Sequence, residues 1–322
     1  MRVLLGMDQV YTIRKATSAD IPAIVGLLKK SLGERLMPKT VELWNWKHVD
    51  NPFGPSEVLL AEVSGKIIAV RAFMPWVWKK REKTYRALRA VDTAVDPDYQ
   101  GEGLFTKLTL QLLEATKEVG YQFVFNTPNK QSLPGYLKMG WQEQGRLKIQ
   151  LIPNSLKKSS IPANLPPMDP GIFVRRAQKA FTLAQGLHSK VTQEFLVWRY
   201  LHCPVANYQM LSDDKTYFLL YRIKEGGFFR ELRIAAVYGL DQKSPIDRQH
   251  LKKELNHIQR AYQVNFTSCL PAGIGGQSLI GKMPALALGP IFTLRDLNLG
   301  DDFKQVLSPK EWGYNLGDLE IF

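Results

Sequence analysis

A segment near the start of the chain returns near its middle. Trp46-Lys47-His48-Val49-Asp50-Asn51-Pro52 is echoed by Trp198-Arg199-Tyr200-Leu201-His202-Cys203-Pro204, an offset of 198 − 46 = 152 residues. Arg86-Ala87-Leu88-Arg89 returns as Arg230-Glu231-Leu232-Arg233 (230 − 86 = 144), and Tyr121-Gln122 as Tyr262-Gln263 (262 − 121 = 141). Each match is short, but they fall in one order with slowly drifting offsets, which is the mark of a duplicated domain with loop deletions. The 322 residues suit two domains of ordinary size. Residues 153–171 are rich in Pro, Ser and Asn and carry no apolar period, so they read as a linker. The expected division is 1–152, a linker over 153–171, and a second, similar domain over 172–322.

The first half has a legible element order. Residues 11–14 form a strand; Thr17 with Asp20 then opens a helix whose Ile21, Ile24, Val25, Leu28 and Leu32 recur at helical spacing. Strands over 58–63 and 66–78 join at Ser64-Gly65, and another strand covers 86–95. A helix over 103–119 and a strand over 121–126 follow. This order makes the fold α/β, with a mixed, mostly antiparallel central sheet in each of two tandem domains.

Composition narrows the class. With 45% hydrophobic and 23% charged residues the chain has the balance of a globular protein. No apolar run approaches the roughly 18 residues that cross a bilayer, and the N-terminal apolar stretch is too short for a signal peptide. Two cysteines, Cys203 and Cys269, suggest neither a disulfide framework nor a metal cluster, so a cytoplasmic protein without metal or membrane partner is expected. The net charge of +13 invites a polyanion or a phosphate-rich cofactor. Its basic clusters are short (Lys79-Lys80-Arg81, Lys157-Lys158, Arg175-Arg176), which disfavours dedicated nucleic-acid binding.

Chemistry concentrates in residues 92–105. The strand ends at Asp96-Pro97-Asp98, glycines follow at Gly101 and Gly103, and a helix starts at once. Unpaired N–H groups and the positive end of the dipole at a helix start attract anions, and glycine lets a phosphate reach the backbone. The loop lacks the Lys-Ser/Thr ending of a P-loop and the spacing of a dinucleotide fingerprint.

Gln100-x-x-Gly103 after Ala94-Val95-Asp96-Pro97-Asp98-Tyr99 resembles the acyl-CoA signature of the GNAT acetyltransferase superfamily. Asn129, Tyr136, Gly140 and Trp141 are similar to that family's Asn-x6-Tyr-x3-Gly-Phe pattern, with Trp in place of Phe. The resemblance covers about residues 11–150 and implies a sheet of the acyl-CoA N-acyltransferase type, with acetyl-CoA as co-substrate. It implies that backbone groups of Thr93, Ala94 and Val95 hold the acyl end, and that Gln100, Gly101, Glu102, Gly103, Leu104 and Phe105 take the pyrophosphate. Asn129 is then expected near the pantetheine and Tyr136 as proton donor to the departing thiolate; Asp92, on the strand flanking the thioester, reads either as a relay for the proton of the amine or as a carboxylate paired with Arg89 or a lysine and doing no chemistry. Phe105 stands where the family usually has Gly or Ala, which leaves open whether its ring crowds the phosphates.

The second half has no glycine where its helix begins, at residues 241–247, and so reads as a degenerate copy that no longer binds CoA. The expected acceptor is a primary amine of a small molecule or peptide. A transferase taking an aminoacyl group from tRNA, like the Fem-type enzymes, and a non-catalytic CoA-binding module are the alternatives. Because the cradle is local, residues 1–152 alone are expected to bind acetyl-CoA. The C-terminal stretch from Trp312 to Phe322, with Asp318 and Glu320, is a candidate wall of the acceptor pocket or a last strand of the second sheet.

Overall fold

A computed structural model describes residues 11–35, 37–154, 167–184, 186–270 and 284–319. The glycine-rich run Gly273-Ile274-Gly275-Gly276 of the second half, and Glu320 to Phe322, lie outside the described residues.

The first half supplies β1 (Thr12–Lys15), α1 (Ile21–Leu32), α2 (Val41–His48), β2 (Glu57–Val63), β3 (Lys66–Lys80), β4 (Lys83–Val95), α3 (Leu104–Glu118), β5 (Phe123–Asn126), α4 (Leu133–Lys138), β6 (Gln142–Arg146) and β7 (Gln150–Pro153). The rest supplies α5 (Pro170–Ala177), β8 (Phe181–Thr182), β9 (His188–Ser189), α6 (Gln193–Leu196), β10 (Gln209–Ser212), β11 (Tyr217–Gly226), β12 (Phe229–Gly239), α7 (Arg248–Ala261), β13 (Phe266–Cys269), β14 (Ile291–Asp296) and α8 (Phe303–Leu307). Two mixed, largely antiparallel sheets result. One runs β1-β2-β3-β4-β5-β14-β6 with β9 beside β3, the other β10-β11-β12-β13-β7 with β8 beside β12.

The sheets do not follow the expected boundaries. β14, from the second half, lies antiparallel between β5 and β6 of the first sheet, while β7, from the first half, lies antiparallel to β13 in the second. Position 152 therefore falls inside a strand of the other sheet. Periodicity cannot reveal such an exchange, because a strand's alternation says which face is buried and not which sheet it joins.

Several hydrogen bonds repeat between the two halves. Thr40 caps α2 by accepting from Leu43 N at 3.0 Å, and Thr192, 152 residues on, caps α6 by accepting from Phe195 N at 3.1 Å. Trp46 Nε1 donates to the Trp198 carbonyl at 2.8 Å and Trp198 Nε1 to the Trp46 carbonyl at 2.6 Å, with the rings stacked 4.7 Å apart. Arg86 N donates to Gln122 Oε1 and its guanidinium to the Val119 carbonyl; Arg230 N donates to Asn265 Oδ1 and its guanidinium to the Tyr262 carbonyl. So Gln122 corresponds to Asn265 and Val119 to Tyr262. The Tyr121/Tyr262 echo at an offset of 141 is thus a coincidence of residue type, since both pairs correspond at 143 (265 − 122 and 262 − 119).

One core spans both halves. Trp76, Trp78, Phe123 and Phe125 of the first sheet pack with Phe195, Trp198, Phe292 and Trp312. Trp312 meets Trp78 edge-on at 4.6 Å, and Leu319 is fully buried. The segment 312–319 is neither a strand of the second sheet nor a wall of an open pocket, because its rings are more stable inside this core. Arg89 Nη1 and Nη2 hold it through the carbonyls of Asp318 and Leu319 at 2.9 and 2.7 Å.

Asp318 is buried with it, 1% exposed. Burial pushes its carboxyl up to about 6 against the pull of the Asn315 N–H and of Arg199 and Arg89. Between about pH 4 and 6 the unfolded chain releases this proton while the folded chain keeps it, so stability falls as pH rises through that window and stays lower above it. Asp318→Asn removes the penalty. It is expected to raise stability by about 2–3 kcal/mol at pH 7.5 and to change little at pH 4, as read from thermal melts at both values.

Candidate active site

β4 and β5 are parallel, but their pairing runs only from Ala87↔Phe123 to Arg89↔Phe125. Beyond that point β4 continues to Val95 while β5 ends at Asn126, and the strands part. A cavity of about 860 Å³ opens in the fork, lined by Ala90 to Val95 on one side and Asn126 to Asn129 on the other, with Gln100, Gly101, Gly103 to Thr106, Gly135 and Tyr136 around it.

β4 carries a bulge at this place. Val70 faces Ala94 and Ala72 faces Val91, so two steps along β3 answer three along β4. The extra residue falls at Asp92–Thr93, and Asp92 takes a left-handed φ of 40°. A non-glycine residue held there costs about 1–3 kcal/mol and persists only where its surroundings hold it. Here they do. Asp92 Oδ2 pairs with Lys47 Nζ at 2.5 Å and with His48 Nε2 at 2.9 Å, and His48 Nδ1 contacts Ser56 Oγ at 2.8 Å. Burial would raise the Asp92 carboxyl, but the Lys47 charge and the His48 hydrogen bond outweigh it and hold the carboxyl far below its usual range. A carboxylate held so firmly ionised is a poor proton acceptor. Of the two readings of Asp92, this pairing favours the carboxylate held by a lysine, here as anchor of the bulge, over the relay.

At the end of β4, Asp96 Oδ1 and Oδ2 pair with Lys30 at 2.6 Å and Lys66 at 3.0 Å. Burial alone would raise this carboxyl, and the two lysines with the Asp98 N–H bring it down to about 2. The loop that follows is thus pinned before α3 begins. Gly101 and Gly103 have φ of 89° and 75°, and a Cβ built on either would meet nothing within 4 Å. Both glycines face open space at the start of a 15-residue helix whose first-turn N–H groups lack helical partners. That cradle fits a pyrophosphate. Gly103→Asp is expected to weaken acetyl-CoA binding more than tenfold relative to Gly103→Asn. Both side chains tolerate a left-handed φ about equally, so calorimetric titration of the pair isolates the charge.

Phe105 lines the cavity with its ring packed against Tyr136. Its ring stands edge-on to that of Tyr136 at 5.4 Å, and a Cβ on Gly135 would come within 3.0 Å of it. Tyr136 is 5% exposed and held between Phe105 and Trp141, the latter at 5.0 Å. Asn129 Oδ1 accepts from Gln131 N at 3.0 Å, Ser132 N at 2.8 Å and Ser132 Oγ at 2.9 Å, so this oxygen shapes the turn before α4. Of the residues expected here, Glu102 alone is absent from the cavity lining; its side chain is exposed.

Residues 12–143 match the acetyltransferase (GNAT) domain family. This part of the chain is a GNAT domain. No curated protein sequence matches the chain significantly. A GCN5-related N-acetyltransferase from Anabaena variabilis has the same fold with a TM-score of 0.63, at 16% identity over 90% of this chain and 74% of its own. A probable N-acyltransferase from Enterococcus faecalis also gives 0.63, at 12% identity over 90% and 73%. The N-myristoyltransferase of Saccharomyces cerevisiae, solved with bound myristoyl-CoA, gives 0.56 at 12% identity over 91% and 80%. The likeness is one of fold, and it extends over both sheets.

The second sheet repeats the fork with a different filling. β12 and β13 are parallel from Glu231↔Phe266 to Arg233↔Ser268 and then part. Here β8 pairs with β12 at Tyr238↔Thr182 and Gly239↔Phe181, and Asn315 Oδ1 accepts from Val237 N at 3.4 Å. Residues 182–184 and 313–316 leave a space of only about 30 Å³. Lys47, His48 and Arg71 are the site residues that sequence reasoning passed over. The first two stood inside the Trp46 echo, and the third is a lone cation within an apolar strand.

Among the described residues no helix is long and apolar enough to cross a membrane, and no group of His, Cys, Asp and Glu is arranged to hold a metal.

Proposed function

We propose that the chain is an acyl-CoA-dependent N-acyltransferase that moves an acetyl group from acetyl-CoA to a primary amine of a small molecule or peptide. The observation that carries this reading is the fork between β4 and β5, which brings the β4 bulge, the Gly101–Gly103 cradle and Tyr136 onto one cavity. The donor supplies an activated thioester. Backbone N–H groups at the bulge are suited to hydrogen-bond the acyl oxygen as it gains negative charge, because they are fixed before the substrate arrives. N–H groups at the start of α3 take the pyrophosphate. The Tyr136 hydroxyl gives its proton to the departing sulfur. The second copy, its fork filled by β8 and residues 313–316, serves as support and not as a second donor site.

The test is direct. Purified protein is incubated with radiolabelled acetyl-CoA and a panel of polyamines, aminoglycosides, peptides and tRNA, and label transfer is followed with calorimetric titration of acetyl-CoA alone. Transfer to an amine supports the proposal. Binding without transfer to any of these would favour a non-catalytic CoA module, and no binding would overturn the donor assignment.

A further inference from the structure

Arg71 lies in the middle of β3 and is 0% exposed. With Ala69 and Phe73, two residues away on either side, it shares the face that packs under α3. Nη1 donates to Thr93 Oγ1, while Nε and Nη2 have no hydrogen-bond partner among the described residues. Its guanidinium carbon lies 4.8 Å from the Phe73 ring, 5.6 Å from that of Phe105 and 5.4 Å from that of Tyr136. Three π faces compensate a buried cation only in part, and a guanidinium does not neutralise itself by losing a proton. The titratable groups that face it are Tyr136 from α4 and Asp92 from β4. Asp92 is already answered by Lys47 and His48 of α2. The cation is thus set behind two residues that line the cleft, Thr93 and Tyr136, with capacity for negative charge left over.

We propose that Arg71 is a positioning residue for the departing sulfur, its cation stabilising the negative charge that appears on this wall of the cleft when the donor's C–S bond breaks. The proposal rests on the acyl-CoA reading above. In the step concerned, the amine nitrogen donates its lone pair to the thioester carbon, the C–N bond forms, the C–S bond breaks, and its electron pair stays on sulfur. The sulfur takes the Tyr136 proton, and the proton lost from the acceptor nitrogen restores the phenol. The products are the amide and the CoA thiol. Arg71 acts from behind Tyr136 and Thr93, orienting one through its charge and the other through its hydrogen bond.

The experiment compares CoA with desulfo-CoA, which lacks the sulfur, by calorimetric titration at pH 6 and pH 9.5. A free thiol titrates near about 8.5, and a cation that lowers this by one unit in the bound state makes the preference for CoA over desulfo-CoA rise about tenfold across that range. Wild type is expected to show this rise, Arg71→Gln to show none, and Arg71→Lys, which keeps a cation, to retain at least about threefold. The Gln variant is also expected to lose about tenfold or more in kcat with the KM for acetyl-CoA little changed. A flat wild-type profile overturns the proposal without any variant, should Arg71→Gln fail to fold. A full rise in Arg71→Gln overturns it as well. Failure of both CoA and desulfo-CoA to bind wild type at either pH would remove the acyl-CoA reading itself, and the proposal with it.

Discussion

Residues 1–153 expressed without the rest of the chain are expected to give no cooperatively folded protein and no acetyl-CoA binding. The cradle is local, which on sequence grounds alone argues for an autonomous first domain. The sheet is not local. Truncation removes β14, so that β5 and β6 lose their shared partner and both present open edges. It also strips Phe195, Trp198, Phe292 and Trp312 from Trp76, Trp78, Phe123 and Phe125. At about 1.5–3 kcal/mol for each large apolar side chain returned to water, the four left in the fragment lose about 6–12 kcal/mol, which matches the roughly 5–15 kcal/mol that holds a domain folded. Circular dichroism melts of the fragment check this. Co-expression of residues 154–322 is expected to restore folding, since each piece carries a strand of the other's sheet. A soluble fragment with a sharp melt and normal acetyl-CoA affinity would show that β14 is dispensable.

The parts of the site that were legible in the sequence are those built from consecutive residues. Gly101 and Gly103 after a strand end, and Tyr136 at a fixed distance from Asn129, carry their geometry in their spacing. The strand and helix order of the first half followed from periodicity for the same reason. What stayed hidden depends on contacts across long sequence separations. Lys47 and His48 reach Asp92 from 45 and 44 residues away (92 − 47 and 92 − 48), and that pairing turns a candidate base into a fixed anion. The exchange of β7 and β14, and the filling of the second fork by residues 313–316, lie further still from any local pattern. Arg71 is the intermediate case. A single arginine between Val70 and Ala72 is a visible anomaly in an apolar strand, but only the fold shows that the anomaly lies beneath the cleft.

The two forks explain why one opens on a large cavity while the other is nearly filled. Their parallel strands pair over three positions each and then separate, so both copies form the same wedge. A wedge exposes the unpaired backbone of the longer strand, and buried backbone groups need partners. In the second copy the chain supplies them itself, through β8 and Asn315. In the first copy the backbone of Ala90 to Val95 borders the open cavity. A ligand with amide groups along an extended arm suits that edge for the same reason that a strand does.

Tyr136→Phe is expected to lower kcat by about ten- to a thousandfold while the Kd for acetyl-CoA stays near the wild-type value. The substitution keeps what the ring does structurally. Phe105 and Trp141 still pack on it, Arg71 still faces its π surface, and the thermal midpoint should hardly move. It removes only the hydroxyl, whose proposed part comes after binding, when the C–S bond breaks and sulfur needs a proton or a strong hydrogen bond. An interaction made only at that stage lowers kcat and kcat/KM together, whereas one made equally in the bound substrate would appear in KM. The pairing with Arg71 sharpens the test. If both residues serve the departing sulfur, Arg71→Gln placed on Tyr136→Phe costs much less than it does on wild type, because the first change has already removed what the second supports. Losses that multiply in the double variant would assign the two residues to separate tasks, and unchanged turnover in Tyr136→Phe would leave the tyrosine as a packing residue on the wall of the cleft.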